Sequence, residues 1–224
     1  MVIILPQLCS TLFSLSSLFN GFFIEAGAFD GETISNSLLF EMERNWTGIL
    51  VEANSNLVKT IEGKNRNVWI SPTCLSIEMK PIFAEFNPIG SGGKINKQAH
   101  GGSNMEQKTC IPLYTLLLAL GNPTVHYFSL DIEGAELKVL KAIPWHLVDI
   151  WLVGIETNHI GEFDNTETRR DLLNYMISQG YKHIGTIGID DILIKPDKVN
   201  VSDEMITYLI SLQDKSQYPN EPQI

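Results

Sequence analysis

Short apolar runs alternate with helical patterns through most of the chain, and this alternation fixes the fold class. Residues 21–26 (GFFIEA), 47–52 (TGILVE), 125–131 (VHYFSLD) and 148–156 (VDIWLVGIE) are apolar segments of strand length. Between and after them lie segments with helical periodicity: 32–44, with Ile34, Leu38, Leu39 and Met42 on one face, then 55–62, 113–120, 134–142 and 166–179. Strands that are apolar on both faces need cover on both faces. The pattern therefore predicts a parallel α/β sheet between two helical layers. Residues 181–185 and 188–195 read as a closing antiparallel hairpin at the sheet edge. Short strands are expected at 68–70 and 75–77, and 81–87 pairs with 108–111 around a long loop. That loop, 88–107, holds five glycines and little apolar content, and is expected to be the most mobile segment.

The 224 residues, 44% of them hydrophobic, suit a single domain with extensions. A formal net charge of −10 repels phosphate backbones, so no nucleic-acid partner is expected. Residues 1–24 carry no charged side chain. The segment 1–20 reads either as a buried helix leading into the first strand or as a signal or membrane segment, with a truncated start as a third reading. Residues 21–200 form the domain, and 201–224 read as a polar, loosely packed tail. Cys9, Cys74 and Cys110 show no C-x-x-C or Cys/His ligand spacing, so no metal site is expected. Their odd number favours free buried thiols. A Cys74–Cys110 bridge would require an oxidising compartment. Two N-x-[ST] sequons, at Asn45 and Asn200, permit a lumenal reading.

Ligands of open α/β sheets bind beyond the carboxyl ends of the strands. Three of those ends carry acids here: Glu25 in EAGAFDG, Glu52 in LVEAN, and Asp131 with Glu133 in SLDIEG. A buried carboxylate is costly unless it is paired or hydrogen-bonded, so three in succession point to a shared crevice. Taken singly, each has a plainer reading; Asp131, for instance, would cap the helix opening at Gly134. Gly27 and Gly31 let the backbone approach a ligand. Glu52 follows Gly31 at the spacing of the acid that grips ribose hydroxyls in nucleotide-binding βαβ units. Asp131 would suit an ammonium or sulfonium group. Neither G-x-G-x-x-G nor a P-loop is present, which disfavours NAD and excludes a P-loop phosphate cradle. The remaining fit is S-adenosyl-L-methionine, a nucleoside bearing an amino acid. His159, after the strand ending at Glu156, could reach the same crevice, although an ordinary loop histidine is the plainer reading.

The blocks FFIEAGAFDGE, ILVEAN and YFSLDIEGAE resemble the three signature blocks of the FkbM family of S-adenosylmethionine-dependent methyltransferases. The resemblance runs from about Gly21 to Pro196. It implies a Rossmann-like class I methyltransferase fold with a mostly parallel seven-stranded sheet and an antiparallel edge strand. It also implies O-methylation of a small-molecule or glycan acceptor. By position it assigns Glu25, Gly27 and Gly31 to the methionine part and Glu52 to the ribose. It places Asp131 and Glu133 at the methionine end near the reaction centre, and Asp131, with Asp30 and Asn54 in the same blocks, completes the cofactor-binding set. Asp131, Glu133 and His159 are the catalytic candidates. The finer wording is similar to the arthropod branch related to the protein Star. That branch implies a non-catalytic role in endoplasmic reticulum to Golgi trafficking of growth-factor-receptor ligands, with secretory-pathway membrane proteins as partners. Membrane-associated endoplasmic reticulum or Golgi residence follows from it; a cytoplasmic enzyme is the alternative. Ser55 stands where that family commonly has proline.

Overall fold

The computed structural model describes residues 18–88, 93–96 and 105–211. The apolar N-terminal run up to residue 17, most of the glycine-rich loop and the end of the tail lie outside the described residues. No helix among the described residues is long and apolar enough to cross a membrane.

The strands are β1 (Phe22–Ala26), β2 (Thr47–Val51), β3 (Trp69–Ser71), β4 (Cys74–Leu75), β5 (Ile82–Asn87), β6 (Lys94–Asn96), β7 (Glu106–Ile111), β8 (Val125–Leu130), β9 (Ile150–Glu156), β10 (Lys182–Ile187) and β11 (Asp190–Ile194). The helices are α1 (Leu38–Arg44), α2 (Ser55–Glu62), α3 (Leu113–Ala119), α4 (Glu136–Lys141), α5 (Arg169–Ser178) and α6 (Asp203–Ser211). Seven strands form one sheet in the order β10-β11-β9-β8-β1-β2-β3. All neighbours are parallel except β11, which runs antiparallel between β9 and β10. The expected antiparallel hairpin is present, with its reversed strand one place in from the edge.

The apolar strands are buried on both faces because successive side chains point to opposite sides. Phe22, Ile24 and Ala26 of β1 join one core cluster, with Leu117 of α3, Leu140 of α4 and Leu173 of α5. Phe23 joins the other, with Phe40 of α1, Ile61 of α2 and Leu209 of α6. Phe40 stacks on Trp46 at 4.6 Å between ring centroids, anchoring α1 to the sheet.

Three expectations require correction. The helix placed over 32–44 forms only from Leu38, and Phe40, not Met42, faces the core; Met42 is 75% exposed. Residues 35–37 instead wrap the buried Glu25 carboxylate. Asn36 N–H and the Ser35 hydroxyl donate to it at 2.7 and 2.8 Å, and the Ser37 hydroxyl donates as well. Such serine and asparagine contacts compete with helix formation. The tail is not wholly loose, because α6 buries Leu209 against β10, where a Cβ on Gly185 would lie 2.9 Å from Leu209. Cys74 and Cys110 are also not free thiols.

That pair is a disulfide. β4 and β7 are parallel neighbours with Cys74 opposite Cys110, their Cα atoms 4.2 Å apart. The second sheet, β4-β7-β5-β6, contains the expected pairing of β5 with β7, and the loop between them adds the short strand β6. The bridge spans a sequence separation of 36 residues. Loop-closure entropy then gives about 4 kcal/mol of stabilisation. A Cys74→Ala, Cys110→Ala double variant should lose a comparable amount in chemical denaturation, and reductant should have no further effect on it.

Candidate functional site

The chain fills β2 and β3 on one side of β1, then crosses to β8 and β9 on the other. The carboxyl ends of β1 and β8 therefore flank the topological switch point, where α/β sheets bind ligands. A cavity of about 290 Å³ opens there, lined by Gly27, Glu52, Asp131, Glu133, Glu156 and His159. This is near the lower end for small-molecule sites. Apolar Leu57 and Phe86 also line it, so the second sheet forms one wall. Among the described residues lining the cavity there is no lysine or arginine.

Glycines set its shape by letting backbones touch. Gly27 has φ +82°, and a Cβ there would lie 1.7 Å from the Asp131 carbonyl oxygen. The glycine makes room for β8 before it makes room for any ligand. Gly134, at φ +108°, plays the same part between the turn after β8 and the loop after β9, where a Cβ would meet the His159 carbonyl at 2.7 Å.

Glu52 follows β2, is 7% exposed, and accepts from Phe29 N–H at 3.0 Å and Asn54 N–H at 2.7 Å. Each oxygen keeps a lone pair after these bonds. Burial nevertheless raises its pKa above the usual carboxylate value, against the pull of the backbone bonds. Asp131 follows β8, and its pKa is raised by burial. It does not cap the next helix. The N-cap of α4 is Ala135, and Glu136 instead holds the turn by accepting from Ile132 and Gly134 N–H at 2.9 and 3.1 Å.

The other sequence candidates stand behind the cavity. Glu25 braces the 35–37 turn. Asp30 accepts from Glu32 and Thr33 N–H at 2.9 and 2.6 Å in a local turn. Asn54 caps α2 through Asn56 N–H. Gly31 lies at φ +78°, where a Cβ would touch Ile61 at 3.2 Å. The cavity thus gathers Gly27, Glu52, Asp131, Glu133 and His159, while Glu25, Asp30, Gly31 and Asn54 shape its supporting loops.

Two acids escaped the sequence reading as site residues. Glu156 ends β9 and is 3% exposed, a fourth acid at a strand end. Burial, then the neighbouring Asp131 carboxylate, push its pKa well up. Glu136 is fully buried and has its pKa raised to about 7, chiefly by burial. The signal for Glu156 was available, since VGIE repeats the apolar-run-then-acid pattern of β1 and β2. Nothing in its spacing marked Glu136. His159, in the loop after β9, brings Nε2 to 3.3 Å from Glu133 Oε2 and 3.6 Å from Glu156 Oε1.

A family model described as the methyltransferase FkbM domain matches residues 25–183, well over half of the chain. The chain belongs to the FkbM methyltransferase domain family. The FkbM span takes in every strand-end acid described above, from Glu25 through Glu52 and Asp131 to Glu156. Among solved structures, the fold is similar to that of methyltransferase FkbM from Methylobacillus flagellatus KT, with a TM-score of 0.51 at 14% sequence identity. That superposition covers 79% of this chain and 43% of the bacterial protein, so this chain spans less than half the length of that relative. A search of curated proteins returned no match.

Proposed function

We propose that this FkbM domain binds S-adenosylmethionine in the crevice and serves O-methylation of a small-molecule or glycan hydroxyl. The observation that carries the reading is Glu52. It is a buried carboxylate at the end of β2, oriented by two backbone N–H groups, lining the cavity with lone pairs left to accept from two ribose hydroxyls. The donor set fits the rest of the cofactor. A cavity edged by Asp131, with no lysine or arginine among the described residues that line it, suits a positively charged sulfonium and ammonium. Leu57 and Phe86 offer apolar surface on the adenine side. When bound, the cofactor supplies an electrophilic methyl group. The chain's own residues orient the reactants and exclude water. In the strand order β9-β8-β1-β2, Glu52 lies at one end of the crevice and Glu156 with His159 at the other. Three strand spacings separate them, roughly 14 Å. His159 and Glu133 therefore mark the acceptor end.

Titration calorimetry with S-adenosylmethionine tests this. Charge-assisted hydrogen bonds to two hydroxyls contribute about 1.5–3 kcal/mol each. Glu52→Ala should weaken binding by at least about 100-fold while the protein stays folded by circular dichroism. Equal affinity in wild type and variant would remove Glu52 from the site.

A second reading is favoured by the Cys74–Cys110 bridge, which fits residence in an oxidising compartment. Asn45 and Asn200 are both exposed, so their sequons are open to glycosylation. In that setting the domain acts as a Star-like trafficking module in the endoplasmic reticulum and Golgi, with secretory-pathway membrane proteins as partners. Glycan at either asparagine and an oxidised Cys74–Cys110 pair in the natively expressed chain support it. A cytoplasmic chain with free thiols contradicts it.

A further inference from the structure

We propose that Glu133, Glu156 and His159 form a binding site for one divalent first-row cation at the acceptor end of the crevice. Each offers one donor atom, and the three atoms lie within 4.8 Å of one another. The separations of His159 Nε2 from Glu133 Oε2 and Glu156 Oε1 are 3.3 and 3.6 Å. Metal bonds of about 2.0–2.2 Å at tetrahedral or octahedral angles place neighbouring ligand atoms at such separations.

Two further observations point to a ligand. First, Glu156 is 3% exposed, and its Oε2 is buried with no hydrogen-bond partner among the described residues. The Asp131 carboxyl neighbours this carboxyl group. Facing acceptors of this kind call for a proton or a cation between them. Second, His159 is already oriented. Its Nδ1 lies 2.6 Å from Glu162 Oε1, and a carboxylate can only accept, so Nδ1 carries the hydrogen. With Nδ1 held in this way, Nε2 faces Glu133 and Glu156. A metal-bound histidine donates its other ring N–H to a carboxylate in the same way.

One imidazole with two carboxylates suits Mn²⁺ or Zn²⁺ better than Ca²⁺ or Mg²⁺, which favour all-oxygen shells. Positions not filled by protein would face the cavity, where an acceptor oxygen could bind. The three residues come from the turn after β8, the end of β9 and the loop beyond, so no short sequence motif announces them.

The test uses Mn²⁺ alone, without S-adenosylmethionine, so its outcome is independent of cofactor binding. Wild-type protein should take up one Mn²⁺ per chain, read as saturable loss of the free-ion electron paramagnetic resonance signal. His159→Ala and Glu133→Gln should each weaken binding at least about 100-fold, and Glu162→Gln by about 10-fold, as expected for a group that only orients the ligand. Melting in the presence of chelator confirms that each variant is folded. Failure of the wild type to bind Mn²⁺ saturably, as an imidazolium already seated in the cluster would cause, overturns the proposal. So does equal binding by the His159→Ala and Glu133→Gln variants.

Discussion

Replacing Asp191 by alanine is expected to remove about 3–5 kcal/mol of stability, the cost of breaking a buried charge network from one side. Asp191 is fully buried on β11. Its Oδ1 accepts from Arg169 Nη2, His183 Nε2 and Thr186 Oγ1 at 2.6, 2.8 and 2.8 Å. Its Oδ2 accepts from Arg169 Nε and Thr157 Oγ1 at 2.6 and 2.8 Å. The network ties α5, β10, β11 and the segment after β9 together. Removing the carboxylate leaves the Arg169 guanidinium, 11% exposed, without its counter-charge. Against a typical total of about 5–15 kcal/mol, the variant should be marginal or unfolded at room temperature by urea denaturation.

The same group sets a pH dependence. Burial would raise the Asp191 pKa, but hydrogen bonds from His183 and Arg169 outweigh it and hold the value at about 2, below the ordinary 3.8. A depressed folded-state pKa gives stability that is present above the unfolded value and lost as pH falls toward the folded one. The contribution is on the order of 2 kcal/mol. It should disappear between about pH 4 and pH 2 in wild type. Asp191→Asn, measured by the same urea series, should show a flatter fall over that range.

The second large effect is expected at Gly27. Alanine there must adopt φ +82° and place its Cβ 1.7 Å from the Asp131 carbonyl oxygen. The obstacle is backbone, so no side-chain rotation relieves it, and β1 and β8 must part. The expected loss is about 3–5 kcal/mol, together with the crevice. Gly121→Ala separates the two causes. Gly121 has φ +84° with nothing among the described residues within 4 Å of an added Cβ, so the conformational strain of about 1–2 kcal/mol applies. Similar melting shifts for both variants would show that contact between the strand ends does not matter.

Much of the fold was legible because parallel strands buried on both faces write themselves as unbroken apolar runs. FFIEA, TGILV, VHYFSL and IWLVGIE all became strands of the main sheet. What misled was local polar chemistry. The helical spacing of Ile34 and Leu38 ignored the demand of a buried Glu25 for donors, which Ser35, Asn36 and Ser37 meet by leaving the helix. The glycines were assigned to the ligand, although Gly27 first accommodates a neighbouring strand, a long-range contact that no local pattern encodes. The Cys74–Cys110 pairing depended on register within a second sheet. Of the site, the strand-end acids Glu52 and Asp131 were visible from spacing. Glu156 was visible in principle, and Glu136 was not, because its role is to accept from the turn just before it.

The central claim is that the crevice between the ends of β1 and β8 binds S-adenosylmethionine. A crystal structure of the protein grown with saturating S-adenosylhomocysteine tests it most directly. The account predicts the ribose hydroxyls on Glu52, the sulfur beside Asp131 and the adenine against Leu57 and Phe86. A ligand bound elsewhere, or a crevice still without it at saturation, would contradict the account.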